Sequence, residues 1–382
     1  MNAGSEVEER EHREADADDG FEFDVVGIGS PLVDILATAG ERELNAVGLE
    51  KGSMSLVTLE RARSIYDAMG STVEVSGGSA ANTMVGLAAL GGSAGFVGKV
   101  ADDDLGVVFA HDIRAAGVAF EPAVGPAGSS ATSLDGLFAT KSAGRRSSET
   151  QDDAKDSSTE EEVGTGRCLV LVTPDAERTM ATHLGVATTI GPHDIPEEFV
   201  ARHQIVYLEG YLWDLPPAIE AMRKAISIAH EFDRSVALSL SDPFCVERHQ
   251  DEFLELVQED IDILFGNEEE VTRLFKATCF EDAINAASET GLLVAVTRGP
   301  LGSVVTTPHG PVSVPAEEVE NVVDTTGAGD LYAAGFLYAL CHDLRPQEAA
   351  QLGGLCASEV IGHMGARPQA DLGEMARRAG LK

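Results

Sequence analysis

Between Ile205 and Val296 the chain repeats one pattern: a short apolar run, then a longer amphipathic stretch. The strand-like runs are Ile205–Leu208, Ser235–Leu240, Ile261–Phe265 and Leu292–Val296, with helical stretches at Pro216–Phe232 and His249–Asp260 between them. Such alternation builds a parallel sheet, because parallel neighbours need a crossover and the crossover helices cover both faces. Phe21–Gly29 supplies a further buried strand near the start. The predicted class is therefore α/β, a doubly wound α/β/α sandwich. Open sheets of this kind bind ligands just outside the C-terminal ends of their strands. Asp34, in Ser30-Pro31-Leu32-Val33-Asp34, falls at such a place. The preceding Gly27-Ile28-Gly29 is not a dinucleotide fingerprint, since Leu32 stands where the third glycine belongs.

The densest candidate for chemistry is Val323-Asp324-Thr325-Thr326-Gly327-Ala328-Gly329-Asp330. It follows an extended stretch, Gly310–Val323, and precedes an apolar helical run, Leu331–Cys341. Small residues at a helix start allow close backbone approach, and the first-turn N–H groups are free to hold a phosphate. Asp330 sits among those donors, where it could accept a proton from a substrate hydroxyl. Gly-Ala-Gly alone would more simply be a loop with an N-cap aspartate. No Gly-Lys-Ser/Thr ending is present, which excludes a P-loop.

Three other stretches carry polar groups at plausible places. Val75–Asn82 runs two glycines into a small-residue helix, with Gly78 and Ser79 at its start and Asn82 one turn inside. In Gly266-Asn267-Glu268-Glu269-Glu270, Asn267 and Glu270 share a helix face. They could hold water around Mg²⁺, although an acidic first helix turn is the commoner arrangement. Thr297-Arg298-Gly299-Pro300-Leu301-Gly302 is a glycine-punctuated turn that could line a nucleotide. Arg178, after the turn at Pro174-Asp175, either reaches a phosphate or lies on the surface of a hairpin. The run Asp102-Asp103-Asp104 receives no catalytic role.

Taken together, the Asp-Thr-Thr-Gly-Ala-Gly-Asp string, the Gly-Gly stretch, Asp34 and the Asn267–Glu270 pair resemble the motifs of the ribokinase / phosphofructokinase-B family of small-molecule kinases. The resemblance spans roughly 21–368, apart from 126–166. Gly29–Ile35, Ser239–Phe244 and Asp262–Glu268 look most like adenosine kinases. It implies a ribokinase-like sandwich with a small β-rich lid drawn from about 36–75 and 118–188. It implies transfer of the ATP γ-phosphate to a primary hydroxyl, with the 5′-hydroxyl of adenosine the first choice. A sugar acceptor such as ribose or fructose is the alternative, and a non-catalytic nucleoside-binding relative a remoter one. By the same resemblance Asp330 is the base and Gly327, Ala328 and Gly329 form the anion hole. Asp34, Asn82, Gly78, Ser79 and Ser30 fall to the acceptor, with Arg178 beside them. Thr297, Gly299 and Gly302 fall to ATP, and Asn267 and Glu270 to ATP and Mg²⁺, with K⁺ a further candidate cofactor. Ser30 stands where adenosine kinases often carry Asn.

Composition narrows the partners. The net charge is −37 over 382 residues, which repels nucleic acid and anionic membranes. Residues 1–24 hold ten acidic against two basic side chains, a small part of that total. High acidity with 7 Lys against 20 Arg suggests adaptation to a salty cytoplasm, where self-repulsion is screened; compositional drift would look the same. No apolar run is as long as a membrane span, and the start lacks a signal-peptide pattern. Five scattered cysteines form neither a zinc-ligand spacing nor a disulfide framework, which fits a reducing cytoplasm. Residues 1–20 and about 126–166, poor in large apolar side chains, are expected to be a disordered tail and a flexible insertion. A monomer and a homodimer are both compatible with the sequence.

Overall fold

The computed structural model describes residues 21–125, 163–175 and 177–382. The expected tail at 1–20 and almost all of the expected insertion lie outside the described residues. The insertion's expected end runs too far: Val163 and Thr165 are buried, and a strand begins at Gly166.

Fourteen strands form two sheets among the described residues. They are β1 (Phe23–Ile28), β2 (Leu32–Thr38), β3 (Met54–Leu56), β4 (Val73–Gly77), β5 (Ala94–Ala101), β6 (Ala119–Gly125), β7 (Gly166–Val172), β8 (Arg178–His183), β9 (His203–Glu209), β10 (Ser235–Ser239), β11 (Ile263–Asn267), β12 (Leu293–Thr297), β13 (Ser303–Val305) and β14 (Val312–Val314). The nine-stranded sheet runs β14-β13-β12-β11-β10-β9-β1-β5-β6 and is parallel from β12 to β6. β13 and β14 extend it antiparallel. The Gly310–Val323 stretch gives only the three residues of β14 in extended pairing, at one edge of the sheet.

Side chains alternate across a strand, and here both faces are buried. Val25, Ile205, Tyr207, Ala237, Ile263 and Phe265 face one core, shared with the helices Ser79–Ala89, Ala328–Cys341 and Pro346–Val360. Their neighbours Val26, Val206, Leu208, Val236, Leu238 and Leu264 face another, shared with Pro216–Glu231, Gln250–Glu259 and Phe280–Glu289. That is the α/β/α sandwich. Leu331 through Ala339 are buried without a break, so the helix Ala328–Cys341 is enclosed on all sides.

The second sheet runs β3-β8-β7-β2-β4. Its inner residues Val33, Ile35, Leu169, Leu171 and Ala181 pack against Ala62 and Ile65 of the helix Leu59–Ala68. Residues 119–125, expected in the lid, instead pair with β5 in the large sheet. The Asp102–Asp104 run is structural: Asp103 caps the helix Asp104–Ala115 through Gly106 N–H at 2.8 Å and also accepts from Thr165.

Candidate active site

The opposite face of the second sheet lines a cavity of about 460 Å³. Period-two spacing delivers its residues in pairs: Leu32 and Asp34, Met54 and Leu56, Cys168 and Val170, Arg178 and Met180. The large sheet and its helices complete the wall with Ser30, Gly78, Ser79, Asn82, Glu209, Gly327 and Asp330. Every expected acceptor-side residue is therefore in one place.

Asp330 lies in the first turn of the helix Ala328–Cys341. Its Oδ1 accepts from Ser79 Oγ at 2.7 Å and its Oδ2 from Asn82 Nδ2 at 3.0 Å. These bonds join two helix N-termini, so a local signal at each end of the chain becomes one constellation. Burial pushes the Asp330 carboxyl above its ordinary range, against the hydrogen bonds from Asn82 and Ser79 and the charge of Arg367. Burial also lifts Asp34 to about 6, opposed by Arg367 and Arg178 and reinforced by Asp330. Asn82 Oδ1 is buried without a protein partner, so it can accept from a ligand hydroxyl.

The backbone around Asp330 is shaped by glycine. Gly327 has φ +79°, and a Cβ there would lie 2.7 Å from the Ala366 Cβ. At Gly329 an added Cβ would meet nothing within 4 Å. Ala328 N–H bonds Thr325 O at 3.2 Å and Leu331 N–H bonds Gly327 O at 2.8 Å. The Gly329 and Asp330 N–H groups between them are left for an anion.

A second cavity, about 630 Å³, is lined by Thr297, Gly299, Gly302, Ala328, Gly329 and Tyr332, among others. A smaller polar one of about 280 Å³ contains Ser79, Asn267, Glu270, Thr297, Gly329 and Asp330. Asp330 lines the first and the smallest cavity and Gly329 the second and the smallest, so the pair stands where the three approach one another. Asn267 and Glu270 form a reciprocal helix cap. Glu270 accepts from Asn267 N–H at 2.9 Å and from Asn267 Nδ2 at 2.7 Å, while Asn267 Oδ1 accepts from Glu270 N–H at 2.9 Å. The plainer expectation, an acidic first helix turn, is met here by Glu268, Glu269 and Glu270. Burial lifts Glu270 to about 7, against the Asn267 N–H bond. Among the described residues no three His, Cys, Asp or Glu side chains cluster as a metal cage. One carboxylate beside hydroxyls suits a cation held largely through water and phosphates.

Arg178 is not on a hairpin surface. Its side chain is 8% exposed and pairs with that of Asp324, 2% exposed, at the head of the Asp-Thr-Thr-Gly string. Two buried charged residues beside the cavity escaped sequence reasoning. Arg367 donates to Ser76 O, Ala81 O and Ser76 Oγ at 2.9–3.1 Å; burial lowers it to about 10 against the charges of Asp34, Asp330 and Asp112. Its loop, Gly365-Ala366-Arg367-Pro368, carries no recognisable signal. Glu209 ends β9, and that place at a strand's C-terminal end was the available clue; Asp34, expected at such an end, lies within β2 of the second sheet instead.

The family profile described as pfkB family carbohydrate kinase matches residues 54–163 and 153–371. The chain is 29% identical to the ATP-dependent ribose-1-phosphate kinase of Halopiger xanaduensis, over 77% of this chain and 84% of the relative. It is 27% identical to the 5-dehydro-2-deoxygluconokinase of Geobacillus kaustophilus, over 75% and 78%. Among solved structures, the adenosine kinase from Sinorhizobium meliloti superposes with TM-score 0.79 at 41% identity, covering 94% of this chain and 99% of that one. A probable sugar kinase from Rhizobium etli gives 0.81 at 37%, covering 95% and 100%. A buried carboxylate between two cavities, a turn with unpaired N–H groups beside it, and matches along nearly the whole chain agree: the protein belongs to the pfkB family of carbohydrate kinases, phosphotransferases that act on an alcohol group.

Proposed function

We propose that this kinase transfers the ATP γ-phosphate to the 5′-hydroxyl of a purine nucleoside, adenosine first. The observation that carries this is the mixed lining of the acceptor cavity, where Asp34, Asn82 and Asp330 share the wall with Leu32, Met54, Leu56, Val170, Met180 and Phe244. A nucleoside has a hydroxylated half and an apolar half, and a free sugar has only the first. The likeness to the Sinorhizobium meliloti adenosine kinase supports the same reading. The cavity's charge argues against an acceptor that already bears a phosphate. Its two arginines are each held by a carboxylate, Arg178 by Asp324 and Arg248 by Asp214.

In this reading Asp34 and Asn82 orient vicinal hydroxyls and so raise the effective concentration of the reacting one. Asp330 takes its proton, and the N–H groups of Gly329 and Asp330 receive the charge of the phosphoryl group in transit. Thr297, Gly299 and Gly302 line the space for ATP. Mg²⁺ would be held by water and phosphates near Asn267 and Glu270, where it supplies charge neutralisation. The second sheet acts as the lid that excludes water.

The test is kcat/KM for adenosine, 2′-deoxyadenosine, inosine, ribose, fructose and ribose 1-phosphate, with ATP and Mg²⁺. Adenosine is expected to lead. The deoxy analogue is expected to lose at least about tenfold, because a buried group left unpaired costs about 1–3 kcal/mol. A sugar or sugar phosphate as best acceptor would remove the nucleoside and leave the kinase.

A further inference from the structure

The helix Ser79–Ala89 supplies both donors that hold Asp330, yet its own N-terminus has no local cap. Gly78 occupies the N-cap position and offers no side chain. An acceptor arrives from elsewhere in the fold: Glu209, at the end of β9, accepts from Ala80 N–H through Oε2 at 3.1 Å. The two residues are 129 positions apart. Glu209 is 3% exposed and also lines the acceptor cavity. Its passage between elements is fitted closely. A Cβ on Gly29 would lie 2.4 Å from Glu209 Oε2 and 2.6 Å from the Ala80 Cβ. Gly29 is thus a glycine because the carboxylate crosses over it.

We propose that Glu209 is a positioning residue: its carboxylate serves as the N-cap of the helix Ser79–Ala89 and thereby fixes where Ser79 and Asn82 hold Asp330. A carboxylate at a helix N-terminus is favoured both by the free N–H groups and by the helix dipole. The chain of contact runs from β9 to Ala80, from that helix turn to Ser79 and Asn82, and from these to the base. This assignment rests on the kinase reading of Asp330 for its effect on turnover, and on the geometry alone for the tether.

The tether has a pH signature. Burial lifts Glu209 to about 7, opposed by the Ala80 N–H, reinforced by the charge of Asp330 and opposed again by the Ser30 N–H. The other titratable groups coupled to it are Tyr207 and Tyr211, both held above the ordinary tyrosine range by burial and therefore neutral. When Glu209 takes a proton, its grip on the helix N-terminus weakens.

The experiment compares the full-length protein with Glu209→Gln and Glu209→Ala. In Glu209→Ala, kcat is expected to fall about 10–100-fold while KM for the acceptor stays within about threefold, as for a displaced but intact base. Glu209→Gln, which keeps an accepting oxygen, should fall between it and the parent. In the parent, kcat should decline both through the Glu209 pKa of about 7 and through the raised pKa of Asp330, and both variants should lack only the Glu209 limb. A residue that only stabilises the fold would leave the limb in place. Hydrogen exchange of the peptide covering 78–84 needs no turnover, and its amides are expected to exchange faster in Glu209→Ala. Unchanged exchange together with unchanged kcat would overturn the assignment. So would a raised acceptor KM at unchanged kcat, which would make Glu209 a substrate contact. A parent that phosphorylates none of the acceptors ends the kinase reading; the exchange result then decides the tether by itself.

Discussion

Asp330 has to be ionised to accept a proton, and it sits where burial disfavours that charge. Two hydrogen bonds and the nearby Arg367 recover part of the cost. The result is a carboxylate more basic than one in water, which suits proton removal near neutral pH. The sign of the pH dependence follows. Activity is present while Asp330 is charged, and it is lost as pH falls through its raised pKa. Asp330→Asn keeps the shape and most hydrogen bonds but cannot accept the proton. Its turnover should fall by about 10²–10⁴, with ATP affinity retained. Steady-state kinetics beside nucleotide titration separates the two quantities, and near-normal turnover would remove Asp330 from the role of base.

At the scale of elements, the turn into the helix Ala328–Cys341 does most to shape the site. Gly327 holds a left-handed conformation against Ala366. Gly327→Ala should cost about 1–2 kcal/mol for that conformation, and more if Ala366 cannot move. Thermal unfolding would read the stability, and KM for ATP would read the displaced amides; a variant equal to the parent in both would show that the turn tolerates a side chain. This turn was legible in the sequence because a glycine with an unusual φ and a helix start leave a local trace. The alternating segments that make β9 to β12 were legible for the same reason, since each strand carries its own apolar period. Arg367 and Glu209 were not, because their meaning depends on Ser76, Ala80 and Ala81, far away in the chain. Arg178 was half legible: its place among the residues lining the cavity was, its burial against Asp324 was not. The 119–125 strand was misplaced because a short apolar run does not say which sheet it joins.

The molecule as a whole carries −37, and its interior adds carboxylates that prefer to be neutral. Burial raises Glu209 and Glu270 to about 7. His249 is raised too, by its hydrogen bond to Asp214, against its burial. All three bind protons more tightly folded than unfolded, so stability should grow as pH falls from about 8 to about 6.5. His203, lowered to about 4 by burial, opposes this only below its unfolded value near 6.5. Added KCl should act in the same direction by screening the surface. The Debye length falls from about 10 Å at 0.1 M to about 3 Å at 1 M. Melting temperatures across a grid of pH and KCl would test both; flat or falling stability in molar KCl would argue against a surface suited to salt.

β1 lies between β5 and β9, paired with Ala94–Val97 on one side and His203–Leu208 on the other. A ribosome releases these segments in order, so β1 waits with one edge of unpaired N–H and C=O groups open while the chain lengthens toward β9. An open edge of that kind invites pairing with another chain. Slow or crowded synthesis should therefore favour aggregation before β9 emerges, and chaperone supply should matter most at that stage. The same order of emergence holds at the site. Ser79 appears 251 residues before the Asp330 it binds, so an unfinished chain makes that helix turn long before the carboxylate it holds.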